Sequence, residues 1–95
     1  MRRAAKVDAN QSSIVKALRA MGACVILTAQ LKNAFDILVI FDGRYFLMEI
    51  KDGTKPKSAH KLTEGEEKCR ACVERAKGLY HVVKSLDEAI KIIQA

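Results

Sequence analysis

Apolar residues follow two alternating rhythms along the chain. Ile14, Val15, Leu18 and Met21 recur at helical spacing after VDANQ, in which Asp8 and Gln11 stand three apart as in a capping box, and Gly22 closes the segment. ACVILTAQL, residues 23–31, is apolar and β-branched and reads as a strand, with KNA as the turn after it. FDILVIF and RYFLMEI then flank Asp42-Gly43, a strong hairpin signal because both central residues of a type I′ turn need positive φ. KDGTKPKSAHK, residues 51–61, holds Gly53 and Pro56 and reads as a basic loop. TEGE, a second capping box on Thr63 and Glu66, opens a helix running to about Lys77. GLYHVVK, residues 78–84, alternates as a last strand. SLDE, a third box on Ser85 and Glu88, opens a short helix with Ala89, Ile92 and Ile93 inside. The order αβββαβα predicts one α/β domain over residues 1–95, a mixed four-stranded sheet flanked by helices.

Charge changes this picture. Lys and Arg number 17 against 11 Asp and Glu, a net +6, which favours a polyanionic partner and nucleic acid first. Aromatic residues are 5% of the chain and Trp is absent, so contacts to a phosphate backbone are expected over stacking on bases. Asp36 interrupts the apolar run from Phe35 to Phe41, and no apolar segment follows Arg2 and Arg3. Neither a membrane span nor a signal peptide is expected, and a cytoplasmic location with no membrane partner follows. Cys24, Cys69 and Cys72 are an odd number and read as free thiols. CRAC lacks the second pair a zinc site needs; on a helix Leu62, Cys69, Cys72, Val73 and Ala76 form one apolar stripe, which predicts packing.

The turn fixes a hairpin register. With Asp42 and Gly43 as its loop, Phe41 pairs with Arg44, Val39 with Phe46 and Ile37 with Met48, which sets Asp36 opposite Glu49. Alternation puts Lys51 on their face as well. Opposed like charges destabilise a sheet by up to roughly 1 kcal/mol, and a hard divalent cation would offset that. Magnesium, with oxygen ligands at about 2.0–2.1 Å and octahedral geometry, leaves room for water and a phosphate oxygen. The alternative is a solvated strand end, with Glu49 and Lys51 as an exposed pair. Lys55, Lys57, His60 and Lys61 leave from the same sheet end and read as phosphate contacts, or as a solvated loop.

Asp36, the hairpin and Glu49-Ile50-Lys51 resemble the D…E-x-K core of the PD-(D/E)XK nuclease superfamily. KVDANQ, FDILV, GRYFLMEIKDGTKPKSAHKLT and VVKSLDEA resemble, over nearly the whole chain, the small stand-alone phage and prophage proteins of the VRR-NUC (virus-type replication-repair nuclease) family. The resemblance implies a restriction-endonuclease-like core and a Mg²⁺- or Mn²⁺-dependent endonuclease, structure-selective toward branched or Holliday-junction-like DNA and working as a homodimer. It implies Asp36, Glu49 and the main-chain carbonyl of Ile50 as metal ligands. Lys51 would orient the attacking water and stabilise charge developing on the phosphate. Three positions depart from the family: Phe35 replaces its proline, Ser13 stands where an acid of the first helix is often found, and Glu66 stands where a glutamine is frequent. Gln11, Ser13 and Glu66 are therefore candidate accessory residues, Glu66 with a competing role in its capping box. A nucleic-acid-binding module without catalysis is the rival expectation, and a protein-interaction subunit a third.

Overall fold

The computed structural model describes residues 8–95. Arg2 and Arg3, on which the reading of the N-terminus rested, lie outside them. Helix α1 spans Gln11–Ala20, strands β1, β2 and β3 span Cys24–Leu27, Ile37–Phe41 and Arg44–Ile50, and a 3₁₀ turn spans Lys57–His60. Helix α2 (Glu64–Arg75), strand β4 (Tyr80–Val83) and helix α3 (Leu86–Gln94) complete the order αβββαβα. The sheet runs β1-β2-β3-β4. Its first two pairings are antiparallel and β3/β4 is parallel, so the expected mixed sheet is present.

The hairpin has the register its turn dictates, Phe41 with Arg44 through Ile37 with Met48. Asp42 and Gly43 both take positive φ, 53° and 75°. Alternation gives the sheet one apolar face of Val25, Ile37, Val39, Phe46, Met48, Ile50 and Val83, all buried. Ile14, Val15 and Leu18 of α1 and Ala89 and Ile93 of α3 complete that core. Arg44 ties β3 to the end of α3 through the carbonyls of Ile93 and Ala95. On the opposite face α2 stands near β4, and there the charged residues collect.

Three sequence expectations change. Helix α1 starts at Gln11 with Asn10 as N-cap, and Asp8 contributes only its carbonyl, to the N–H of Gln11 at 3.0 Å. The Asn10 side chain is drawn away from capping because its Nδ2 donates to the carbonyls of Lys51 (3.3 Å) and Lys84 (3.4 Å). Strand β1 stops at Leu27, because the chain turns at Thr28, whose carbonyl accepts the N–H of Leu31 at 2.8 Å. The cysteine stripe packs only in part: Leu62, Cys69 and Val73 are half-buried, whereas Cys72 and Ala76 are exposed. Cys72 and Cys24 are exposed, Cys69 is half-buried and α2 has no buried residue, since no further layer covers this lone helix. All three thiols are free.

Capping is as expected on α2, where Thr63 and Glu66 exchange both bonds of the box. At α3 the box is half made: Ser85 Oγ accepts the N–H of Glu88 at 3.2 Å, but Glu88 Oε1 takes the N–H of Lys84 at 2.8 Å. That second bond ties the helix start to the end of β4.

Candidate functional site

Asp36 enters the sheet through a tightly held segment. Its N–H donates to Met48 O (3.0 Å) and its own carbonyl accepts from Thr28 N (2.8 Å). Thr28 Oγ1 donates to Phe35 O at 2.7 Å, and Tyr80 Oη to Ala34 O at 2.8 Å. Three successive carbonyls, of residues 34 to 36, thus each have a separate donor. This clamp restrains the strand entry around Phe35. Asn33, at φ 60°, packs its side chain onto Gly65 in the first turn of α2, where a Cβ would overlap it. The segment carrying Asp36 is thereby pressed against the helix carrying Glu66.

Asp36 Oδ2 accepts the main-chain N–H of Ile50 at 2.7 Å. In a strand the N–H and C=O of one residue point to the same side, so the carbonyl of Ile50 is directed toward Asp36 as well. Glu49, on the next position of β3, is nearly buried, with a side chain 5% exposed. Lys51 Nζ lies 3.4 Å from Glu49 Oε2 and 3.3 Å from Glu66 Oε1. Glu66 Oε1 also accepts the N–H of its own cap, Thr63, at 2.9 Å. The two roles weighed for Glu66 are therefore simultaneous: one carboxylate closes the capping box and reaches the lysine. The solvated-strand-end alternative does not hold for Glu49.

Burial and crowding set the protonation here. Burial first, then the Asp36 charge, with Glu66 adding to both, pushes the Glu49 carboxyl up to about 9. Burial also raises Asp36, against the Ile50 N–H and the Glu49 hydrogen bond, which favour its ionised form. Burial raises and the Thr63 N–H lowers Glu66; with Glu49 and Lys51 adding to the cap, the net direction is down. Burial alone would lower the Lys51 ammonium, but Glu49 and Glu66 outweigh it and hold it above its ordinary value. Tyr80 is raised by burial and then by Glu49. Crowding against Asp36 thus favours the protonated form of Glu49.

Whether a divalent cation fits turns on the donor set. Glu49, Asp36 and the Ile50 carbonyl are hard oxygens converging at one point of the sheet, the chemistry magnesium and manganese take. They form a partial set that leaves positions for water and phosphate oxygen. Among the described residues, no group of three or more His, Cys, Asp and Glu side chains is arranged to hold a metal ion.

Of the accessory candidates, Gln11 is buried with its Oε1 lacking a hydrogen-bond partner, while Ser13 is exposed and its Oγ donates to Asn10 O at 3.0 Å. Ser13 therefore makes no contact with the carboxyls. In the basic loop Lys55, Lys57 and Lys61 are exposed. His60 Nε2 donates to Asp52 O at 2.9 Å, which leaves Nδ1 as the ring nitrogen open to a ligand. Sequence reasoning missed Thr28, Tyr80, Asn10 and Lys84. The repeated pattern of an apolar strand residue followed by lysine, Ile50-Lys51 against Val83-Lys84, was the available signal: a parallel pairing of the two strands sets both lysines at one sheet end. Among the described residues no helix is long and apolar enough to cross a membrane. Compared with protein-family models, with curated proteins and with solved structures, the chain matches none.

Proposed function

We propose that this chain is a divalent-cation-dependent endonuclease of the PD-(D/E)XK type, close to the VRR-NUC family, with a restriction-endonuclease-like core. The observation that carries the reading is the nearly buried Glu49 beside Asp36, with the Lys51 ammonium 3.4 Å away. A globular fold gains little from burying one carboxyl beside a second, half-buried one, and groups so perturbed concentrate at functional sites.

Asp36, Glu49 and the Ile50 carbonyl would hold Mg²⁺ or Mn²⁺, which when bound supplies a Lewis acid for the phosphodiester and an acidified water. Lys51 donates to the attacked phosphate and orients the water, using hydrogens its tetrahedral ammonium can spare from Glu49 and Glu66. Glu66 holds Lys51 from the helix side. Lys55, Lys57, His60 and Lys61 place the nucleic-acid backbone against the carboxyls by charge. Branched DNA is the substrate class that the resemblance implies, cut by a pair of copies in the cytoplasm of a bacterial or phage-infected cell. Ile26, Leu27, Leu31 and Tyr45 are exposed apolar side chains available to such a pair.

A second reading, a nucleic-acid-binding module without catalysis, is favoured by Ser13, whose Oγ is turned to Asn10 O where the resembled family often has an acid, and by the exposed Lys55, Lys57 and Lys61. One experiment separates the two: branched, nicked and linear DNAs incubated with the protein in Mg²⁺, Mn²⁺ or EDTA. Cleavage in metal and none in EDTA is expected. Binding to every DNA with no cleavage in either metal would leave the binding module in front.

A further inference from the structure

We propose that a hollow beside the carboxyls is a binding subsite for a single phosphate group, with Lys84 as its central ligand. The hollow, about 400 Å³, is bounded by Lys57, His60, Lys61, Val82 and Lys84. That volume is within the range of small-molecule sites. Its floor, Val82, pairs with Glu49 in the parallel ladder. The hollow is thus one strand spacing, about 4.8 Å, from the Glu49 row, so a phosphodiester at the carboxyls brings its neighbour over Val82. The proposal deepens the nuclease reading and rests on it for the polyanion that carries the phosphate.

The charges around the hollow are unbalanced. Lys57, Lys61 and Lys84 make no ion pair among the described residues, where the pairs involve Lys51, Lys68 and Arg70. The nearby acids are turned to other donors. Asp52 Oδ1 accepts from Thr54 N (3.0 Å) and Thr54 Oγ1 (2.7 Å), and Glu88 Oε1 from Lys84 N (2.8 Å). Lys84 itself is held by its backbone: its N–H goes to Glu88, and its carbonyl accepts from Gly53 N (3.1 Å) and Asn10 Nδ2 (3.4 Å). Its exposed side chain carries none of these bonds. An anchored backbone with a free ammonium, facing two loop lysines and an imidazole, suits a dianionic or monoanionic phosphate.

Two sources of that phosphate share this chemistry: an internal phosphodiester and a terminal phosphomonoester. The test uses the full chain in EDTA, so that cleavage plays no part. Titration with inorganic phosphate, at ionic strength held constant with chloride, should move the amide resonances of His60, Val82 and Lys84 saturably. Lys84→Gln should weaken phosphate binding about tenfold. Lys84→Gln should also lower the slope of log affinity against log salt for a short duplex by about 0.9. A 5′-phosphorylated duplex binding tighter than its 5′-hydroxyl counterpart assigns the hollow to a terminus; equal binding, with the slope still lowered in Lys84→Gln, assigns it to an internal phosphodiester. Identical shifts with chloride and phosphate, or an unchanged salt slope in Lys84→Gln, would overturn the subsite. Saturable phosphate binding in a protein that never cleaves would retire the nuclease reading alone.

Discussion

Asp36 Oδ2 accepts the N–H of Ile50 at 2.7 Å, taking the place of the next rung of the β2/β3 ladder. A side chain thus ends the antiparallel pairing, and its carboxylate is held in the plane of the sheet with Glu49 on the adjoining residue. Substituting Asn keeps an oxygen for the Ile50 N–H and removes the charge that opposes Glu49. Asp36→Asn should therefore melt higher than wild type in EDTA. Excess Mg²⁺ should stabilise wild type by mass action and the variant little. Equal melting of the two proteins in both conditions would remove Asp36 from a metal site.

Glu49 supplies a pH dependence with a definite sign. Its carboxyl keeps its proton up to about 9 in the folded chain, against an ordinary 4.5. The folded state binds the extra proton between those values, so the contribution is complete below 4.5 and is lost as pH rises through about 9. Without metal, the melting temperature of wild type should fall across that window. Glu49→Gln should flatten the fall, and a curve of unchanged slope in that variant would show that another group titrates.

Lys51 and Glu66 act on one bond from two sides. Lys51→Ala should leave duplex binding largely intact while cleavage falls by orders of magnitude, about the range known for loss of a group that stabilises developing charge. Glu66→Gln keeps an amide oxygen for the Thr63 N–H, so stability should change by no more than about 0.5 kcal/mol. Its cleavage rate should still drop, because the ion pair at 3.3 Å is lost. Full activity in Glu66→Gln would restrict that residue to its helix cap.

Gly65 offers a test in which propensity and packing predict opposite signs. Gly to Ala within a helix ordinarily stabilises by roughly 0.5–1 kcal/mol. Here the added methyl would overlap the Asn33 side chain, which holds the Asp36 segment to α2. Gly65→Ala should therefore destabilise, and Asn33→Ala in the same chain should restore stability by giving the methyl room. A double-mutant cycle in chemical denaturation reads the coupling, and additive effects would show that the two residues do not meet.

The hairpin and the cap of α2 were legible because their causes are local. Asp42-Gly43 selects one turn, that turn sets one register, and a slip of one residue would turn every side chain of Ile37–Phe41 to the wrong face. Thr63 and Glu66 find one another across a single helical turn for the same reason. The approach of Asp36 to Glu49 follows from these short-range rules. Helix ends were read less well: the Asn10 amide left its capping role for carbonyls 41 and 74 residues away, which no neighbouring residue announces.

What the sequence determined by itself was the order of elements, the hairpin register and the placing of Asp36 at the hairpin end that carries Glu49, all products of periodicity and turn chemistry within about fifteen residues. The tertiary structure alone decided how buried that pair is and what reaches it. Strand β4 lies parallel to β3, which no turn can arrange, so its register with Ile50 is set by packing of the core face, and that packing places Lys84 and Val82 beside the carboxyls. The docking of α2 on the far face brings Glu66 to Lys51 and leaves Cys72 in solvent, because a helix with no layer above it buries only what it turns toward the sheet.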